Sequence, residues 1–210
     1  SKQLADSLEK VKEPQLLSNS VLTHSQARKM LESVSTSSPE GFRNRTMLEL
    51  FYTTGIRASE LIGLNVNGID FGGASAIVLG KGSKERVVPI GRTALRYLQT
   101  YVAAVRPYVN CDRANPLLFL GRSDKGVHYL TFLRAIHAYA RAAGLEVNVT
   151  PHTFRRSCTT ELIRGGANMY HVKDLLGHEN LNTLRHYAKL TILDLKKTHE
   201  KYHPRERDEV

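Results

Sequence analysis

The sequence predicts a mostly helical α+β domain that carries a small three-stranded antiparallel sheet on one side. Two observations support this fold class. Apolar residues recur at helical spacing over most of the chain, and between residues 66 and 90 they change to short runs separated by glycine-rich turns. The chain has 210 residues, 41% of them hydrophobic, which is enough apolar material for one globular domain or two small ones.

The helices are predicted from their end signals and apolar spacing. Thr23 and Gln26 form a capping box at the start of a helix over residues 23–33. Pro39 in the first turn and Gly55 as a stop delimit the second helix. Further helices are predicted at residues 58–64, 92–105, 128–143, 152–164, 170–176, 181–188 and 192–201.

Three strands are predicted at residues 66–71, 76–79 and 86–90, with glycine-containing turns between them. Residues 117–120 are interpreted as a further short strand. Residues 1–20 are polar and end in a Ser/Asn cluster, which is typical of a linker.

The net charge indicates a polyanionic partner. Thirty Lys and Arg against twenty Asp and Glu give a formal charge of +10 and a pI near 9.7. Nucleic acid is the first candidate, because the basic residues are dispersed over the chain as on a folded surface. No stretch approaches the roughly 18 apolar residues that a membrane-spanning helix needs, so we expect no membrane partner.

Cysteine and histidine patterns give no sign of a metal centre. Cys111 and Cys158 are far apart and lack CxxC spacing, which argues against a zinc ribbon or a disulfide framework and fits a reducing cytoplasm. The nine histidines form no HExxH pattern. We therefore expect neither metal nor cofactor.

Two basic segments lie at structural breaks in the first half of the chain. Arg57 follows Gly55 at a helix start, and Glu60 stands one turn later, where it can hold the Arg57 guanidinium. Taken alone, this pair also fits a surface ion pair. Residues 80–86 form a hairpin tip with two glycines and the cations Lys81, Lys84 and Arg86, which suits a DNA groove but is also common on soluble sheets.

Two further segments lie in the second half. Thr150 and Pro151 begin a helix that places His152 and Arg155 one turn apart at its N-terminal end, where an anion is favoured. The alternative is a histidine that only packs. Gly177 breaks the chain before His178, and a tyrosine follows nine residues later.

The order and spacing of these segments resemble the catalytic domain of the tyrosine recombinases, the class of lambda integrase and Cre, and most of all its Xer-type and integrase-type bacterial members. The shared motifs are TGxRxSEL, a GKGxKxR hairpin, HxxR, and LGH with a tyrosine nine residues after its histidine. The resemblance covers about residues 21–203. The matching positions are Arg57, Lys81, His152, Arg155, His178 and Tyr187. The chain has Phe154 and Arg156 where the family commonly has Leu and a second His.

The resemblance implies metal-independent strand exchange through a 3′-phosphotyrosine formed by Tyr187. It assigns Arg57 and Arg155 to the phosphate oxygens, His152 to the tyrosine proton and His178 to a phosphate oxygen. Lys81 is the expected general acid for the departing 5′-oxygen, and Glu60 is expected to orient Arg57. DNA contacts are predicted for Lys84, Arg86 and Arg156.

The resemblance also implies an assembly. Family members exchange strands as a tetramer on two duplexes, so residues 189–210 are expected to dock on a neighbouring protomer; the alternative is that their helix folds back on its own protomer. The free chain is compatible with a monomer. Residues 1–20 would link residues 21–210, the catalytic domain, to an N-terminal DNA-binding domain. A type IB topoisomerase, which relaxes DNA without exchanging partners, and a non-catalytic DNA-binding regulator are the alternatives.

Overall fold

The computed structural model describes residues 21–109, 114–121 and 125–177. Within these ranges the chain is mostly helical with one small sheet, which confirms the predicted fold class. The helices are α1 (His24–Glu32), α2 (Pro39–Thr54), α3 (Ala58–Ile62), α4 (Arg92–Thr100), α5 (Arg106–Val109), α6 (Tyr129–Ala142), α7 (Pro151–Arg164) and α8 (Met169–Leu176). The strands are β1 (Ile69–Asp70), β2 (Ser75–Leu79) and β3 (Glu85–Pro89).

The first two helices begin and end where the sequence predicts. Thr23 and Gln26 form the capping box of α1. The Ser38 hydroxyl accepts a hydrogen bond from the Gly41 backbone N–H at 3.1 Å and so caps α2. Gly55 ends α2 at φ +60°, a left-handed conformation that costs glycine little.

Helix α2 is the central element of the core. Phe51 is fully buried, and its ring lies 5.5 Å from that of Phe132 on α6 and 5.7 Å from that of Phe154 on α7. Phe154, the apolar residue inside the HxxR motif, is also fully buried. These contacts fix α7, which carries His152 and Arg155, against the middle of the domain.

The sheet has the order β1-β2-β3 and is antiparallel throughout. The predicted first strand, residues 66–71, is too long, because β1 contains only Ile69 and Asp70 and follows a 3₁₀ turn over Val66–Gly68. The Asn65 side chain accepts a hydrogen bond from the Asn67 N–H at 2.8 Å. This local turn competes with strand pairing.

Two other predictions of secondary structure need correction. Residues 117–120 form isolated bridges, Asn65 with Leu117 and Leu120 with Gly126, rather than a strand. The helix predicted at residues 92–105 continues through a π-helical turn, Tyr101–Val105, into α5. Pro107 has no N–H to donate, and a widened turn accommodates this gap without ending the helix.

The predicted helices 181–188 and 192–201, and the linker over residues 1–20, lie outside the described residues. In the part of the chain that the structure describes, no helix is long and apolar enough to cross a membrane.

Candidate active site

Arg57 and Glu60 form the interaction that their spacing predicts. Arg57 is the residue before α3, and its backbone N–H donates to Glu60 Oε2 at 2.8 Å. Its guanidinium Nη1 donates to Glu60 Oε1, also at 2.8 Å. The Glu60 side chain is only 4% exposed, whereas that of Arg57 is 41% exposed. The pair thus has a buried acid and an arginine that remains accessible to a ligand.

Arg155 reaches the same region from α7. Its Nη1 donates to the backbone carbonyl of Gly55 at 2.9 Å, and its Nη2 donates to the carbonyl of Leu176 at 2.7 Å. Gly55 also lets Cys158 on α7 and Leu176 on α8 pack closely against the end of α2, since a Cβ there would lie 3.0 Å from Cys158 Sγ and Leu176 Cδ2. Arg155 is buried and therefore held in one orientation by two fixed acceptors.

The C-terminal end of α8 accepts hydrogen bonds from three arginines. The consecutive carbonyls of Leu175, Leu176 and Gly177 accept hydrogen bonds from Arg86 Nε, Arg155 Nη2 and Arg57 Nη2, at 3.0, 2.7 and 3.4 Å. The last carbonyls of a helix have no partners within it and carry its partial negative charge. The helix end therefore offsets part of the repulsion among the three cations.

Arg86 has different surroundings from those expected of a DNA contact. Its Nη1 and Nη2 donate to Glu60 Oε1 and Oε2 at 3.1 and 2.8 Å, and its side chain is 16% exposed. Its guanidinium is thus engaged with Glu60 and the Leu175 carbonyl. These bonds give Arg86 a structural role inside the protein, and its contact with DNA stays a prediction.

The electrostatics follow from this geometry. Burial disfavours the ionised form of Glu60, but hydrogen bonds from Arg86 and Arg57 outweigh it and lower the pKa of Glu60 to about 2. Burial, reinforced by the charge of Arg57, lowers the pKa of Arg155 to about 10. Both groups are therefore charged at neutral pH, and the cluster of three guanidiniums and one carboxylate has a net positive charge.

His152 and Arg155 lie one turn apart on α7, as predicted. His152 is exposed in the first turn of the helix, whereas Arg155 is buried. Thr150 accepts a hydrogen bond from the Thr153 backbone N–H at 3.2 Å, and the Thr150 N–H donates to Thr153 Oγ1 at 3.1 Å. This reciprocal cap fixes the beginning of the helix that carries both residues.

Replacing Thr150 with alanine is expected to lower the free energy of unfolding by about 1 kcal/mol, because the cap of α7 would lose its side-chain acceptor. Urea unfolding followed by circular dichroism measures this loss. Thr131→Ala, at an exposed position of α6, is the matched control and should change stability by less than about 0.5 kcal/mol. Equal effects of the two substitutions would contradict a capping role.

The hairpin between β2 and β3 contains the predicted basic tip. The Gly80 N–H donates to the Lys84 carbonyl at 2.8 Å, and the backbone of Lys81–Ser83 forms the tight turn between them. Gly82 and Ser83 both have positive φ, +72° and +57°, so the chain is left-handed at both residues of the turn. Lys84 is exposed at this tip, so the hairpin presents its backbone and at least one cation to solvent.

The remaining predicted residues are distributed as follows. Arg156 is half-buried on α7. His178 and Tyr187 lie outside the described residues, the first directly after Gly177 in the sequence. Among the described residues, no group of three or more His, Cys, Asp or Glu side chains is arranged to hold a metal ion. The structure therefore brings together Arg57, Glu60, Arg86 and Arg155.

The sequence prediction did not include the backbone acceptors of this cluster. The Gly55 carbonyl and the three carbonyls at the end of α8 orient the arginines, yet a carbonyl has no residue type that a motif could display. The available signal was glycine after a helix, at both Gly55 and Gly177, because such a glycine marks a helix end whose carbonyls need donors.

Comparisons with known proteins agree with this geometry. The sequence profile of the phage integrase family matches residues 20–192. Tyrosine recombinase XerD of Listeria monocytogenes serotype 4b (strain F2365) is 35% identical over 186 residues, covering 88% of this chain and 63% of the relative. XerD of Staphylococcus epidermidis (strain ATCC 35984) is 36% identical, covering 84% of this chain and 60% of that protein. The chain thus spans somewhat under two thirds of these curated relatives.

Solved structures share the fold. The XerA recombinase superposes with a TM-score of 0.74 at 23% identity, over 88% of this chain and 65% of that one. The XerH site-specific recombinase, in a post-cleavage complex with palindromic difH substrate, also gives a TM-score of 0.74 at 23% identity, over 87% of this chain and 53% of its own. With the arginine cluster in place and a profile match over most of its length, the chain belongs to the phage integrase family, with the catalytic-domain fold of the tyrosine recombinases.

Proposed function

We propose that the chain is the catalytic domain of a site-specific DNA recombinase that cleaves and rejoins strands through a 3′-phosphotyrosine at Tyr187. The observation that carries this proposal is the fixed pair of arginines. Arg155 is held by the Gly55 and Leu176 carbonyls, and Arg57 is held by Glu60 but remains 41% exposed. A phosphodiester gains negative charge on its oxygens during attack, and oriented guanidiniums stabilise that charge without rearranging.

The first chemical step breaks one P–O bond and forms another. The Tyr187 hydroxyl attacks the scissile phosphorus, and the 5′-oxygen departs. The tyrosine proton passes to a base, for which His152 is the candidate, and Lys81 protonates the leaving 5′-oxygen. His178 donates to a phosphate oxygen. A 5′-hydroxyl of the partner strand then attacks the phosphotyrosine in reverse, so the bond energy is conserved and ATP is not required.

The same proposal covers the assembly and the DNA contacts. Lys84 and Arg156 would contact the DNA backbone, which carries the negative charge that the basic chain complements. The active species would be a tetramer on two recombination sites, in the cytoplasm, with residues 189–210 docking on the next protomer. Residues 1–20 would connect to an N-terminal DNA-binding domain. Integration or excision of a mobile element and Xer-type resolution are the tasks that such chemistry serves.

The test is covalent capture of DNA. The chain is incubated with a pool of nicked duplexes that have a randomised centre, adducts are isolated under denaturing conditions, and the captured site is resynthesised with a label on the 5′ end of the cleaved strand. In a 3′-phosphotyrosine the labelled upstream fragment stays with the protein. Wild type is expected to retain the label, and Tyr187→Phe is expected to form no adduct.

The control is Tyr170→Phe, which removes the hydroxyl of an exposed tyrosine on α8 and should leave the adduct yield unchanged. An adduct in Tyr187→Phe would refute the nucleophile. Binding without any wild-type adduct would favour a non-catalytic DNA-binding protein. Relaxation of a supercoiled plasmid without recombinant products would favour the topoisomerase alternative.

A further inference from the structure

Arg86 is a charged side chain on the buried face of the sheet. It pairs with Val78 across β2 and β3, and Val78 is fully buried. Two residues along β3, Val88 is also fully buried, so Arg86 is in phase with the inward-facing positions. Burying a charge is costly unless hydrogen bonds and an opposite charge compensate it. The contacts of Arg86 provide that compensation.

The guanidinium of Arg86 is held on two sides. It forms two hydrogen bonds to Glu60, and its Nε donates to the Leu175 carbonyl at 3.0 Å. It also lies against Gly177, where an added Cβ would be 3.0 Å from Arg86 Cζ. One planar group therefore connects strand β3, helix α3 and the end of α8.

Glu60 links Arg86 to Arg57. Glu60 Oε1 accepts from both Arg57 Nη1 at 2.8 Å and Arg86 Nη1 at 3.1 Å. Glu60 Oε2 accepts from Arg86 Nη2 and from the Arg57 backbone N–H, both at 2.8 Å. The carboxylate that orients Arg57 is thus itself fixed by the two-pronged contact of Arg86.

We propose that Arg86 is a positioning residue of the phosphate site, which fixes the Glu60 carboxylate that holds Arg57. This proposal rests on the proposed function. Lysine is a poor substitute, because one ammonium cannot make the two parallel bonds to Glu60 and also reach the Leu175 carbonyl. Arg86→Lys keeps the charge and removes this geometry.

Arg86→Lys is expected to slow strand cleavage without weakening DNA binding. At saturating DNA, the single-turnover rate constant for adduct formation on the captured duplex should fall about 10- to 100-fold, as expected when a reacting group is misplaced by about 1 Å. The dissociation constant should change by less than about threefold. A rate constant, unlike a yield, is insensitive to a fraction of unfolded protein.

Two variants provide the comparison. Lys84→Gln, at the exposed tip of the same hairpin, should weaken binding and reduce the salt dependence of affinity by about one phosphate contact. Arg141→Lys, an exposed arginine in the last turn of α6, should change neither quantity. If Arg86→Lys behaves like Lys84→Gln, Arg86 is a DNA contact and the positioning proposal is wrong.

Coupling to Arg57 gives a readout that a purely structural role would not produce. If Arg86 acts through Arg57, then Arg86→Lys should slow cleavage by less than about threefold further once Arg57 is alanine. If the fold-reductions of the two single variants instead multiply in the double variant, the proposal is wrong. A wild-type rate constant in Arg86→Lys would overturn the positioning proposal and leave the proposed function intact. A wild-type chain that forms no adduct would overturn both.

Discussion

Replacing Glu60 with glutamine is expected to lower the free energy of unfolding by about 3 kcal/mol at pH 7. The wild-type pKa of Glu60 is lowered from 4.5 to about 2, which corresponds to about 3 kcal/mol at 1.36 kcal/mol for each tenfold change in proton affinity. The side chain is 4% exposed, so solvent screens this interaction little. Glutamine would leave the guanidiniums of Arg57 and Arg86 without their shared counter-charge.

The pH dependence of this loss has a defined sign. Because the folded protein lowers the pKa of Glu60, the stabilisation is fully present above the ordinary value of 4.5 and disappears as the pH falls towards 2. The stability difference between wild type and Glu60→Gln should therefore shrink between pH 5 and pH 2. Urea unfolding at several pH values measures it.

The matched control is Glu32→Gln. Glu32 pairs with Arg28 on the surface of α1, and the two side chains are 54% and 70% exposed. Exposed pairs contribute little, so this substitution should cost less than about 0.5 kcal/mol at any pH. A Glu60→Gln difference that is the same at pH 2.5 and pH 6 would show that the charge of Glu60 does not provide the stabilisation.

The sequence predicts the helices and the arginine positions well because their signals are local. Capping residues at Thr23 and Thr150 and the stop at Gly55 lie within one turn of the ends that they define. The Arg57–Glu60 pair likewise lies within one helical turn. By contrast, the first strand was predicted too long, since the Asn65 turn competes with pairing in a way that a run of apolar residues does not display.

The role of Arg86 shows a different limit. Its place in a basic hairpin suggested a DNA contact, yet its partners, Glu60 and Leu175, are 26 and 89 residues away in the sequence. A usable signal was present, because Arg86 alternates in phase with the apolar Val88 and so belongs to the buried face of the strand. The acceptors of Arg155, the Gly55 and Leu176 carbonyls, gave no comparable signal.

Replacing Arg155 with lysine is expected to lower the single-turnover rate constant of strand cleavage about 10²- to 10³-fold, the usual cost of removing one oriented donor from a developing oxyanion. Lysine can reach one of the two carbonyls, Gly55 or Leu176, but not both, and it lacks the planar guanidinium that the proposed phosphate contact requires. The measurement is adduct formation at saturating DNA on the captured duplex, below the melting temperature of the variant.

The same substitution is expected to cost about 1–3 kcal/mol of stability, because a buried carbonyl loses its donor. Arg164→Lys is the matched control, because Arg164 lies at the end of the same helix. Its side chain is 53% exposed, and its Nη1 lies 3.7 Å from Glu161 Oε1. It should change neither the rate constant nor the stability. The difference between Arg155→Lys and Arg164→Lys therefore measures the effect of the buried site, because both variants replace an arginine on α7 with lysine.

Varying temperature and denaturant separates the effect of Arg155→Lys on the rate constant from its effect on stability. A stability loss alone would raise the unfolded fraction and lower the adduct yield, while the rate constant of the folded fraction stayed at the wild-type value. A reduced rate constant in fully folded protein means instead that the phosphate needs the fork of Arg155 in its wild-type orientation. Because the carbonyls of Gly55 and Leu176 set that orientation, the C-terminal ends of α2 and α8 would then contribute to catalysis. A wild-type rate constant in the variant would show that a single buried cation is sufficient.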